Sequence, residues 1–239
     1  METLIDEVQV WDDWNMKHCY GKLNELAERR MREILASLTD LKIRGAKILE
    51  VGCGAGRLSP RLCEFGKVTA VDLGMKIIEI AKTRHPEVDF RSGNIHTLDL
   101  PVNSFDVIVT LGTLAHVADQ AAFVRRLSQL LKPGGFLLLV TQNKFVYERR
   151  ADIGPPEGWI RKWVTFKTLK RLLRPEFSLW HTTTLEPGGH LGLLRVINSR
   201  RINDYLDAVL GAPRVKRLKE RAGFGQDIFV VAVKRGVGC

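Results

Sequence analysis

The run ILEVGCGAGRLS, residues 48–59, decides how this chain folds. A short apolar stretch breaks into glycine at positions 52, 54 and 56 and then resumes a helical spacing. That pattern is a strand turning tightly into a helix. Glycine at every second position strips a loop of side chains, so that its N–H groups and the following helix dipole can face a ligand at close range. A glycine loop alone is a weak signal. What it holds has to come from its neighbours.

Working outward, the spacing predicts a leading helix over residues 20–41, with Leu23, Leu26, Ala27, Met31, Ile34, Leu35 and Leu38 on one stripe. AKILEVG reads as a buried strand, and the helix after the loop is expected to run through RLSPRLCEFG. KVTAVDL is a second strand ending in an acid, MKIIEIAKTRH a second helix stopped at Pro86, and VDFRSGN and FDVIVTLG two further strands. DQAAFVRRLSQLL is a helix ended by KPGG, which leads into the strand FLLLVTQ. Strands alternating with helices across short connections imply a parallel sheet covered on both faces. After residue 142 the alternation loosens. Residues 144–165 read as a loop or lid, TFKTLKRLL as a helix capped by Thr165, and FSLWHTTTLE and DIFVVAVKR as the last two strands. Residues 188–224 read as an insertion of one or two basic helices. The whole, residues 1–239, is expected to be one domain: an N-terminal cap helix over 1–41, a ligand-binding core over 46–143, and a lid and insertion over 144–165 and 188–224.

Composition narrows the class. At 239 residues, with 45% hydrophobic and 27% charged residues, the chain can bury a sizeable core. No apolar run approaches the roughly 20 residues that span a bilayer, and the acidic start METLIDEVQVWDDWN lacks the layout of a signal peptide. Cys19, Cys53, Cys63 and Cys239 share no metal-ligand spacing, so no metal is expected, and free thiols in a cytoplasmic setting are. The net charge of +10 fits attraction to nucleic acid, an anionic glycan or a phosphorylated metabolite. It fits equally a solvated surface, because segments such as ERRMRE and RVKRLKER alternate basic and apolar residues as ordinary amphipathic helices do.

Two ligand classes compete for the glycine loop. Aligned to the dinucleotide pattern GxGxxG, the third glycine position falls on Arg57, and the pattern fails. The alternating form Glu50-x-Gly52-x-Gly54-x-Gly56 resembles the first motif of class I S-adenosylmethionine-dependent methyltransferases. Asp72, at the end of the second strand, stands where that family's acid accepts from both ribose hydroxyls. SGNIHTLDLPVNSFDVIV resembles its adenine-binding turn and next strand, and LLKPGGFLLLVTQN its fifth strand with the preceding turn. The resemblance covers about residues 46–143. It implies a Rossmann-like, seven-stranded, mostly parallel α/β sheet with helices on both faces and the last strand antiparallel. It implies S-adenosyl-L-methionine as cofactor, held by Glu50, Gly52, Cys53, Gly54, Gly56, Asp72, Leu73, Asn94, Ile95 and Leu111. Asn94 departs from the family's usual Asp, although its side-chain carbonyl still accepts and its amide donates.

Methyl transfer from a sulfonium needs chiefly alignment, and a base only for a hydroxyl or protonated amine acceptor. The candidate base is His116, just after the fourth strand; packing over the cofactor is its other reading. His181 and His190 lie in the acceptor region and read more simply as structural. Trp11, Trp14 and Tyr20 are candidates to line the acceptor pocket, and Phe145, Tyr147, Trp159 and Trp163 form an aromatic lid. These features favour transfer to oxygen or nitrogen of a small molecule or glycan. RNA ribose or protein side chains are the alternative acceptors, although TLGT replaces the Pro-Pro-aromatic motif used for base amines. A non-catalytic cofactor-binding module is the alternative from another class.

Overall fold

The structure, a computed structural model, describes residues 2–18, 24–154 and 160–236. Cys19, Tyr20, Trp159 and Cys239 lie outside them. Two helices precede the sheet: α1 (Glu2–His18) and α2 (Glu25–Asp40). The expected leading helix begins at residue 25 because the Asn24 side chain accepts from the Ala27 N–H and caps it there. Its stripe buries Met31, Ile34 and Leu38.

The remaining elements follow in chain order: β1 (Ala46–Val51), α3 (Ser59–Leu62), β2 (Gly66–Asp72), α4 (Met75–Arg84), β3 (Asp89–Ser92), β4 (Phe105–Leu111), a 3₁₀ turn (Leu114–His116), α5 (Gln120–Leu130), β5 (Leu131–Gln142), α6 (Lys144–Tyr147), α7 (Phe166–Leu173), β6 (Phe177–Pro187), α8 (Leu193–Ile197), α9 (Arg200–Leu210), α10 (Ala212–Arg221) and β7 (Gly225–Lys234). Helix α3 is four residues long, shorter than its sequence suggests. The strand claims Gly66, where a side chain would meet the Ala46 carbonyl oxygen at 1.9 Å. Strand β5 begins earlier than expected: Leu131 already pairs with Phe105, and KPGG is an irregularity inside the strand. The insertion holds three helices. Thr165 caps α7, accepting from the Thr168 N–H.

The seven strands form one sheet in the order β3-β2-β1-β4-β5-β7-β6, in which β7 runs antiparallel to both neighbours and the other strand pairs are parallel. This is the Rossmann-like sheet expected from the sequence. Alternate residues divide between two cores. Ile48, Val107, Val109, Leu138 and Val140 pack with α2, α3 and α4. Leu49, Ile108, Leu137, Leu139 and Val230 pack with α5 and α7 on the other face.

A buried ion pair crosses this packing. Asp227 on β7 is fully buried, and Arg30 of α2 grips it bidentately, Nε and Nη2 each donating at 2.7 Å. Burial pushes the Asp227 carboxyl up, while the guanidinium charge opposes that rise. Removing one partner strands a buried charge. Arg30→Ala is therefore expected to cost about 3–5 kcal/mol in urea unfolding, and Arg30→Met with Asp227→Leu much less.

Candidate active site

The features singled out in the sequence converge on the carboxyl edge of the parallel strands, where open α/β sheets bind ligands. Glycines 52, 54 and 56 have φ of 80°, 52° and 72°, a region that favours glycine. The space around them is equally restrictive. A Cβ on Gly52 would sit 1.9 Å from Thr113 Oγ1, and one on Gly56 would sit 2.6 Å from the Phe90 ring. At Gly54 the nearest atom to such a Cβ is Asn15 Oδ1 of α1, at 3.1 Å.

Asp72 ties the loop to the next helix. Its Oδ2 accepts from the Gly54 N–H at 2.8 Å and its Oδ1 from the Gly74 N–H at 3.0 Å. Burial raises its carboxyl above the ordinary aspartate value, with a further push from Asp12 and an opposing pull from those N–H groups. Glu50 lies beneath the loop, 3% exposed, and accepts from the Ser59 hydroxyl. Burial raises its carboxyl to about 7, against the pull of that hydroxyl, and the Asp72 charge adds to the rise. Cys53 is buried between these acids, and its thiol is pushed well above the usual range. Cys53 and Cys63 are free thiols. Leu73 follows Asp72 half-buried, and Leu111 packs at the end of β4 against the first core. Asn94 folds its own turn, Oδ1 accepting from the His96 N–H at 2.9 Å. Ile95 is buried in the second core, and its carbonyl accepts from Arg126.

Helix α1 covers this edge. Helix α4 begins after Gly74, which has no side chain to cap it. Asp12, 3% exposed, reaches across from α1 and accepts from the Lys76 and Ile77 N–H groups, each at 3.3 Å. Trp11 meets the His116 ring edge-on, with centroids 4.8 Å apart, and Trp14 lies 6.1 Å from Trp11. His116 Nδ1 is 2.9 Å from the Ile160 carbonyl oxygen. A carbonyl only accepts, so the proton resides on Nδ1 and Nε2 keeps its lone pair. Burial, and secondarily the charge of Arg161, lower the pKa of this ring, although the Ile160 bond opposes them.

The lid follows β5. Asn143 caps α6, Tyr147 packs 5.1 Å from Trp163, and the Arg150 guanidinium lies over the Tyr147 ring. Phe145 instead faces Phe224, under the Arg149 guanidinium. His190 accepts from the Ala151 N–H, joining insertion to lid, whereas His181 lies further down the sheet beside Val231. The sequence did not single out Asp12, Asn15, Thr113 or Gln142. Gln142 ends β5, and its buried Oε1 has no hydrogen-bond partner among the described residues. A polar residue at the end of a parallel strand was the one signal available for it.

A methyltransferase-domain family model matches residues 49–139. The chain is 39% identical over 113 residues to a ubiquinone biosynthesis O-methyltransferase of Xanthomonas euvesicatoria pv. vesicatoria (strain 85-10), a match covering 44% of this chain and 47% of that one. The chain thus spans about half the length of that relative. Two solved structures share the fold more fully. The N-methyltransferase NodS from Bradyrhizobium japonicum WM9, in complex with S-adenosyl-L-homocysteine, has a TM-score of 0.64 at 14% identity, over 94% of this chain and 98% of that one. The cyclase SpnF has a TM-score of 0.61 at 21% identity, over 89% and 82%. A cyclase on this fold shows that architecture alone does not name a reaction. Residues 49–139, which carry the glycine loop, are thus similar to a methyltransferase domain, and the seven strands in this order share the fold of these solved structures.

Proposed function

We propose that this chain transfers a methyl group from S-adenosylmethionine to an oxygen or nitrogen of a small molecule. The relatives named as O-methyltransferases favour oxygen. The observation that carries the reading is the Asp72 carboxylate, fixed between the Gly54 and Gly74 N–H groups. Each of its oxygens keeps a lone pair free, so the group can still accept from a vicinal diol. Gly54, whose nearest neighbour is the Asn15 side chain of α1, offers backbone for a ligand to approach, and Leu73, Asn94, Ile95 and Leu111 follow at the ends of β2, β3 and β4 along the same edge. The residues present fit S-adenosylmethionine, which when bound supplies an already activated methyl group. The protein's part is alignment and exclusion of water. Helix α1 covers the loop. His116 holds its proton on Nδ1 and takes the acceptor's proton at Nε2. Its lowered pKa keeps that lone pair available at neutral pH.

Isothermal titration tests the cofactor. S-adenosylmethionine and S-adenosylhomocysteine are expected to bind in the micromolar range, about −8 kcal/mol, and Asp72→Ala to weaken both about 10- to 100-fold. Binding of NAD in their place would overturn the reading. For the base, His116→Gln is expected to lower kcat about 10²- to 10⁴-fold and leave cofactor affinity within a few-fold. The wild-type rate should hold as pH falls through the ordinary histidine range and drop only below it. Glu50 makes a separate stability prediction. Its folded value of about 7 exceeds the ordinary 4.5, so the folded state retains a proton that the unfolded chain has released. Stability therefore falls as pH rises through that window, by about 3 kcal/mol in all. Glu50→Gln should flatten this slope in urea midpoints measured across it.

A further inference from the structure

The insertion carries an apolar surface that the rest of the chain leaves uncovered. Of the large hydrophobic residues that are exposed, eight fall between positions 191 and 218, led by Tyr205 at 70% and Val209 at 63% exposure. Helix α9 buries none of its residues. At 3.6 residues per turn, Ile202, Tyr205 and Val209 form one stripe, and Asp204 and Asp207 leave the cylinder on the other side. Helix α8 adds Leu193 and Val196, each 56% exposed, while Leu194 between them anchors the helix in the fold.

The same segment is strongly cationic. Residues 191–224 contain eight Lys or Arg and three Asp or Glu. Lys216 is committed to Glu186, and Lys219 to Asn198 and Asn203. Arg195, Arg200, Arg201, Arg214, Arg217 and Arg221 are exposed and have no ion-pair partner among the described residues. On α10, Arg214, Arg217 and Arg221 surround Leu218, which is 55% exposed. Apolar stripes with Tyr, bordered by long basic side chains, match a surface that inserts shallowly into a lipid headgroup layer. Charge decides against a second copy as the occupant. A two-fold interface would set this cationic patch against itself.

We propose that helices α8 to α10 dock the protein on the surface of an anionic bilayer, as a peripheral contact and not a span. No helix among the described residues is long and apolar enough to cross a membrane. The patch emerges beside the lid: the Arg149 carbonyl accepts from the His190 and Leu191 N–H groups. Docking would therefore bring the acceptor side of the molecule to the lipid.

The test is co-sedimentation of the full chain with vesicles of phosphatidylglycerol and phosphatidylcholine in equal parts, and with phosphatidylcholine alone. The expected result is binding to the mixed vesicles that weakens with salt and is at least about tenfold poorer on the neutral ones. Ile202→Ser with Tyr205→Ser and Val209→Ser should lower binding about tenfold or more, as should Arg214→Gln with Arg217→Gln and Arg221→Gln. All six positions are on the surface, so circular dichroism and thermal midpoints should match wild type. Titration of S-adenosylmethionine should be unchanged, which separates this proposal from the catalytic one. Equal binding to both vesicle types, or unaltered binding by either variant, would overturn it. So would a concentration-dependent dimer in sedimentation equilibrium that the serine variant dissociates, which would assign the patch to self-association.

Discussion

The N-terminus of α4 is the point on which the site depends. A helix start presents N–H groups that no residue within the helix satisfies, and here Gly74 has no side chain to offer. Two carboxylates from elsewhere serve instead. Asp72 accepts from Gly74 and reaches back to Gly54, and Asp12 accepts from Lys76 and Ile77. The helix dipole favours both negative charges, although burial, and after it the nearby Asp12 charge, raise the Asp72 carboxyl. A side chain at position 74 would meet Asp12 Oδ1 at 2.6 Å. The glycine and the distant acid therefore require one another. One turn of backbone thus holds the loop after β1, the end of β2 and the covering helix in register.

That arrangement explains which parts of the site were legible. Gly52, Gly54 and Gly56 declare themselves because their positive φ values restrict which residue types can stand there. Asp72 and Glu50 stand at strand ends fixed by the β-pattern. Sheet order and the antiparallel last strand followed from the resemblance carried by residues 46–143. Asp12 and Asn15 gave no such signal. Helix α1 is weakly amphipathic, and what holds it is a set of long-range contacts to Gly54, α4 and His116. His116 could be placed after β4 from sequence, but its tautomer depends on Ile160, which is remote in the chain.

The insertion shows a different limit. Periodicity in RRINDYLDAVL announces an apolar stripe, and the ordinary expectation is that the fold covers it. Helix α9 has no buried residue, because α10 is the element that lies against β6 and α9 rests on α10. A hydrophobic pattern records which side chains share a face, not what that face meets. The same holds for α3, cut short because Gly66 had to lie against Ala46.

The place of β7 has its own consequence for how the chain reaches this state. It is the seventh strand in sequence and sits sixth in space, wedged between β5 and β6. Until residues 225–234 are in place, β5 is an open edge and β6 has no strand to pair with. The parallel half of the sheet closes through crossovers of modest length, whereas β5 and β7 meet across the lid, α7, β6 and the insertion. Loop closure on that scale slows folding. Strands β1 to β5 can therefore pair as soon as they are available, whereas β6 can join the sheet only once residues 225–234 are in place.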